Sequence, residues 1–164
     1  MKKISILATF LFITMISFGQ EKEFVITNEG YSKFVVEEIQ NLKKEEIYSK
    51  ALDWVLITYK NPDKVITAKK ENEFIRVNGI NEGNEILFEI AVKDGKYKFT
   101  LISYQVNSAG IVVSLMDIKN MLNDEGKVKW IYGAHKRLIK GINDLNKSLK
   151  DYIENGVPAS KQDW

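Results

Sequence analysis

Residues 86–101 read ILFEIAVKDGKYKFTL, and the alternation within them decides the fold. Ile86, Phe88, Ile90 and Val92 alternate with Leu87, Glu89 and Ala91; a period of two sends successive side chains to opposite faces of a strand. Lys93, Asp94, Gly95 and Lys96 break the pattern, and Tyr97, Phe99 and Leu101 resume it. An Asp-Gly pair tolerates the positive φ values of a two-residue hairpin turn. Such a turn sets Lys93 opposite Lys96, and antiparallel pairing then sets Val92 opposite Tyr97, Ile90 opposite Phe99 and Phe88 opposite Leu101. These pairs lie toward the core. The other side receives Ala91 with Lys98, Glu89 with Thr100 and Leu87 with Ile102, the mixed character expected of a face that meets water. Leu87 and Ile102 stand out there. Joined by Ile75 or Val77 from the neighbouring strand, they make a candidate interaction patch for a partner, a second copy or the C-terminal segment. The plainer reading is an isolated exposed apolar pair, which is commonplace.

Working outward, Val65–Ala68 and Phe74–Val77 read as strands joined by a tight turn at Glu71 and Asn72, and residues 23–39 as one or two strands with a turn at Asn28 to Gly30. From Asn41 the period becomes 3.6. Ile47, Tyr48, Ala51, Leu52, Trp54, Val55, Thr58 and Tyr59 share one wide helical face, and Asn61-Pro62 stops that helix. On the C-terminal side, Ser114 and Asp117 fit a capping box ahead of a short helix through Leu122, followed by a loop at Asn123 to Gly126. A second long helix then carries an apolar stripe of Ile131, Ala134, Leu138, Ile142, Leu145, Leu149 and Tyr152. Lys136, Lys140, Lys147 and Lys150 form the opposite stripe. That stripe is a candidate surface for an anionic partner, set against the ordinary reading of a solvated helix face. Gly156 and Pro158 end the pattern, leaving 157–164 as a tail. The sum is an α+β domain over 20–156, an antiparallel sheet of about five strands with two long helices on one face and a short helix before the last.

The N-terminus differs in composition. Lys2 and Lys3 precede an uncharged, mostly apolar run from Ile4 to Phe18, and Ser17 and Gly19 are small residues at the positions a signal peptidase reads if it cuts before Gln20. A run of fifteen residues is short of the roughly 20 a spanning helix needs. The expectation is therefore a cleaved signal over 1–19 and an exported protein, periplasmic or secreted, without a transmembrane segment. The chain has no cysteine, which excludes an N-terminal lipid-bearing cysteine and disulfide staples. A chain of this size can bury enough surface for one core without them. Loss of Lys2 and Lys3 leaves 22 basic against 22 acidic side chains, so no global charge draws the protein to nucleic acid.

Few residues carry chemistry. The single histidine, His135, lies beside the apolar stripe of the last helix and lacks the thiolates or further imidazoles of a metal site. No serine sits in a nucleophile-elbow or Ser-x-x-Lys pattern. No glycine pattern cradles a phosphate, so no cofactor is expected. The adjacent carboxylates Glu37-Glu38, Glu45-Glu46 and Asp124-Glu125 read as solvated pairs, because a glycosidase needs two carboxyls facing one another across a cleft. Two functions follow as expectations. The first is a non-enzymatic envelope module binding a protein, glycan or lipid; the alternative is an envelope-polymer hydrolase using paired carboxylates.

Tyr48, Ala51 and Trp54 on the first helix, the glycine at 79 after a strand, and the run Val92, Lys93, Asp94, Gly95, Lys96, Tyr97 together resemble a family of exported Bacteroidota proteins, a domain of unknown function with a TBP-like fold. The resemblance covers roughly 34–104. It implies a curved antiparallel sheet with helices on one face and export as the usual fate, and it implies no activity. It does not imply DNA binding: a sheet that reads the minor groove presents basic residues and apolar wedges, whereas Glu85, Glu89 and Thr100 share this open face with Lys98. A shared fold carries no function by itself.

Overall fold

The computed structural model describes residues 23–81, 83–108, 111–114 and 119–156. The expected signal, the expected tail and Asp117 lie outside the described residues.

Strand β1 (Ile26–Thr27) pairs with β2 (Gly30–Tyr31), and β3 (Phe34–Glu38) leads to helix α1 (Lys44–Thr58). A single turn, α2 (Pro62–Val65), precedes β4 (Ile66–Lys70), β5 (Phe74–Asn81), β6 (Asn84–Lys93), β7 (Lys96–Ser108) and β8 (Ile111–Ser114). A 3-10 turn over Trp130–Tyr132 runs into helix α3 (Gly133–Asn155). The main sheet is antiparallel with order β3-β7-β6-β5-β4, and β8 pairs with the far end of β7.

The hairpin holds the register read from its turn as far as Phe88. Lys93 lies opposite Lys96, Val92 opposite Tyr97, Ile90 opposite Phe99 and Phe88 opposite Leu101. One step further it breaks, because a bulge inserts Ile102 and puts Leu87 opposite Ser103 instead. A bulge gives one strand an extra residue and bends it. An alternation of side chains carries no mark of where that extra residue falls, so the expected Leu87–Ile102 pair is corrected here.

Parity then sorts the sheet. Val35, Ile75, Val77, Ile86, Phe88, Ile90, Phe99 and Leu101 are buried on the helix side. Phe88 stacks on Phe99 with centroids 4.7 Å apart and meets Trp54 of α1 edge-on at 6.3 Å. Offset and edge-on ring contacts contribute beyond area burial. Helix α1 buries Ile47, Tyr48, Ala51, Trp54 and Val55 as its periodicity requires. Its first turn is tied to the hairpin: the Lys44 amide donates to Asp94 Oδ1 at 3.0 Å, while the Lys43 amide donates to Glu46 Oε2 at 3.0 Å. Two otherwise unpaired amides of the helix start are thereby satisfied. Asp94 thus closes the turn and anchors a helix fifty residues upstream. Gly79 has an equally local reason: a Cβ there would stand 2.3 Å from Cε1 of Tyr59, whose ring covers the strand at that point.

The described residues bear on two expectations about helices. Ser114 ends strand β8, and Leu122 forms an isolated bridge with Val128. Residues 115–118 of the short helix expected there lie outside the described residues, and residues 119–122 are not helical. The short helical piece that precedes α3 is the 3-10 turn at 130–132. Of the two helices expected to be long, α3 has 23 residues and α1 only 15. The stripe of α3 is also rotated: Ile131 is 56% exposed in the 3-10 turn, while His135, Asn146 and Ile153 are buried. Helices α1 and α3 meet through Trp54 Nε1, which donates to Ser148 Oγ at 3.2 Å, and Lys50 Nζ, which donates to the Ile153 carbonyl at 2.6 Å.

Candidate interaction surface

The strand parity that buries one face of the sheet leaves the other facing away from α1 and α3. Reading across β5, β6, β7 and β3, one row of that open face is Phe74, Ala91, Lys98 and Val36, and the next is Arg76, Glu89, Thr100 and Phe34. Beyond them lie Leu87 and, at the bulge, Ile102. Phe34 is 48% exposed, Ile102 40% and Ile80 64%, with Leu87, Ala91 and Phe74 half-buried around them. The polar groups between are partly self-satisfied: Arg76 donates to Glu89 at 2.7 Å and its guanidinium lies 5.9 Å from the Phe74 ring centre.

This arrangement divides the four residues of the patch expected from sequence. Leu87 and Ile102 are on the open face, as neighbours across the bulge rather than as a pair. Ile75 and Val77 have no exposure at all. Ile75 is opposite Ile90 and Val77 opposite Phe88, so the pairing that buries Phe88 buries them too, and their place in the patch is withdrawn. Phe34 and Ile80 occupy the open face in their stead.

The lysine stripe of α3 is similarly divided. Lys140 contacts Asp144 one turn on. Lys136 and Lys140 border a groove against residues 23–26, whereas Lys147 and Lys150 border another that also contains Glu23, Asp151 and Glu154. Lys150 turns inward. Its Nζ donates to Glu37 Oε2 at 2.8 Å, Asn146 Nδ2 donates to Glu37 Oε1 at 2.9 Å, and the Tyr97 hydroxyl donates to Asn146 Oδ1 at 3.0 Å. Glu37 is 8% exposed and Asn146 4%. The Glu37 carboxylate beside it raises the Lys150 ammonium above its ordinary value, and burial, with the Glu37 charge second, raises the Tyr97 phenol well above the tyrosine range. Buried polar groups of this kind must be mutually satisfied or they cost stability. The network therefore fastens α3 to the sheet, and it occupies both oxygens of the Glu37 carboxylate.

His135 is buried between Tyr31, stacked at 5.7 Å, and Tyr132, edge-on at 5.5 Å. Its Nδ1 has no hydrogen-bond partner, and burial lowers its pKa. It acts as a ring in the packing. Among the described residues no group of three or more His, Asp or Glu side chains gathers as a metal site would require, and no helix is long and apolar enough to cross a membrane.

The cations missed from sequence are at the hairpin. Lys93, Lys96 and Lys98 project from the open face around a groove of about 350 Å³ whose apolar lining is Phe34, Val36 and Ala91. The register placed Lys93 opposite Lys96 from the start; what sequence did not disclose was β3 as the neighbour that brings Phe34 and Val36 alongside.

No family model matches the chain, and no curated protein matches it. Two solved structures share its architecture. One is a TBP-like protein from Parabacteroides distasonis, with a TM-score of 0.51 and 16% identity over 80% of this chain and 97% of that one. The other is a DUF4468 family protein from Bacteroides ovatus, with a TM-score of 0.59 and 13% identity over 85% of this chain and 94% of that one. At such identities the likeness shows the fold alone, and it agrees with the TBP-like, Bacteroidota-type resemblance drawn from the sequence.

Proposed function

We propose that this chain is an exported, non-catalytic binding domain whose open sheet face takes a partner in the cell envelope. The observation that carries the reading is the exposure of Phe34, Ile80 and Ile102 on one sheet face, with the half-buried Leu87 beside Ile102 at the bulge, large apolar side chains that mark the face as a candidate contact surface. The buried polar groups that could have served catalysis, Glu37 and His135, are instead held within the packing of α3. Immobilised protein is expected to retain a saturable partner from envelope extract, and a Leu87→Ala/Ile102→Ala variant to retain at least tenfold less while losing only about 1–2 kcal/mol of stability, since both residues are partly exposed. Unchanged capture by a folded double variant would remove this role from the face. A purified sample that turns over an envelope polymer, and stops when one carboxylate is changed to its amide, would overturn the non-catalytic reading in favour of paired-carboxylate hydrolysis.

Export rests on Lys2, Lys3 and the apolar run to Phe18. The mature protein is expected to begin at Gln20, where a glutamine can cyclise. Intact-mass measurement on protein from periplasm or medium checks this, and a membrane-bound species still carrying residues 1–19 contradicts it.

A further inference from the structure

We propose that the groove beside the β6–β7 hairpin binds a single-chain anionic amphiphile, its phosphate or carboxylate head held by Lys93, Lys96 and Lys98 and its apolar chain lying on Phe34, Val36 and Ala91. The inference deepens the reading that the open sheet face is a binding surface and rests on it.

Three observations select this chemistry. The first is uncompensated charge. Lys93 and Lys96 are directly opposite one another across the hairpin, an arrangement that places like charges within side-chain reach and costs stability. Lys98 stands two residues further along the same face. Among the described residues none of the three has a carboxylate within ion-pair distance, although Lys70, Arg76, Lys127, Lys140 and Lys150 all do. Glu38 is opposite Lys96 in the register yet forms no such pair.

The second is the lining. Lys98 Nζ lies 5.5 Å from the centre of the Phe34 ring, so this exposed cation rests beside an aromatic surface. Val36 and Ala91 flank it on either side. A free inorganic anion would use the lysines and leave this apolar surface idle, and a neutral apolar ligand would strip water from three ammonium groups without recompense.

The third is extent. The unpaired cations end one row away on the same face, where Glu89 and Thr100 stand and the cation Arg76 is already paired with Glu89. A polyanion such as nucleic acid needs a track of positive charge, whereas one charged head needs only this cluster. The volume, about 350 Å³, falls at the small end of sites for compact ligands.

The test uses octyl phosphate below its micelle concentration, with octanol and inorganic phosphate as the separated halves. Calorimetry on the purified protein is expected to show one saturable site for octyl phosphate, at least tenfold tighter than for either half and weakening as salt rises. Amide NMR shifts should centre on residues 34–36, 91–93 and 96–98. Lys96→Gln/Lys98→Gln should weaken binding at least tenfold while the melting temperature holds or rises, because removing Lys96 relieves its repulsion with Lys93. Equal affinity for octanol or for inorganic phosphate, shifts centred on Ile80 and Ile102, or an unchanged double variant would each overturn the proposal. So would retention by anionic vesicles without any binding of the monomer, which would make the face a membrane-docking surface. If octyl phosphate fails and the Leu87→Ala/Ile102→Ala variant still loses its partner, this site falls and the broader reading of the face stands.

Discussion

Replacing Phe88 by alanine is expected to remove about 3–5 kcal/mol of stability, while Leu87→Ala, one residue away, removes only about 1 kcal/mol. The difference comes from parity. Phe88 has no solvent exposure, stacks on Phe99 and meets Trp54 edge-on, so truncation opens a cavity between the sheet and α1 that two rigid rings cannot fill. Leu87 is half-buried on the open face and exchanges part of its contact for water. Domains are commonly stable by about 5–15 kcal/mol, so the Phe88 variant forfeits a large share and the Leu87 variant little. Denaturant titrations at neutral pH measure both, with an unchanged slope showing that the same surface is exposed on unfolding. A Leu87→Ala loss exceeding that of Phe88→Ala would mean that the faces had been assigned the wrong way round.

The same parity explains how much of the molecule was legible beforehand. Asp94-Gly95 set the turn and the turn set the register, so the core pairs of β6 and β7 followed from spacing alone. The face of α1 followed from its 3.6 period. Legibility ended where a tertiary partner overrode a local signal. Ile102 looked like the partner of Leu87, yet it is the bulged residue.

The candidate surface was half legible for a related reason. An alternating pattern says which residues share a face within one strand, but relating two strands needs their register. The alternation of Phe74–Val77 gives a strand without one and leaves Ile75 and Val77 free to fall on either face, and the pairing of β5 with β6 buries them. The hairpin lysines were visible as residues and not as a site, because Phe34 and Val36 lie about sixty residues away and reach them only through the pairing of β3 with β7. Nor can a helical wheel show that Lys150 reaches inward to a buried Glu37; on the wheel it is one lysine of four.

Raising the pH from 10 to 12 is expected to cost about 5 kcal/mol, most of it through two phenols that the fold keeps protonated. Tyr97 is 1% exposed and donates to Asn146, and burial together with the charge of Glu37 raises it well above the tyrosine range. The Tyr59 hydroxyl is buried without a partner over Gly79, and burial pushes it up to about 12. In the unfolded chain both ionise near 10. Above that pH the folded state therefore binds protons that the unfolded state has released, and stability falls as pH rises, by about 1.4 kcal/mol per pH unit for each tyrosine. Lys150 acts in the same direction: its folded pKa is raised by Glu37, so its contribution is complete below the unfolded lysine pKa and disappears as pH rises through the folded one. Denaturant titrations at pH 8, 10, 11 and 12 give the slope. Tyr97→Phe should remove about half of it, at a cost of about 1 kcal/mol at neutral pH for the hydrogen bond to Asn146. Tyrosinate absorbance provides the second measurement. If the difference between native protein and Tyr97→Phe shows that Tyr97 ionises near pH 10 while the protein remains folded, the hydroxyl is not held by the Glu37–Asn146 network, and the polar fastening of α3 to the sheet rests on Asn146 and Lys150 at Glu37 without it.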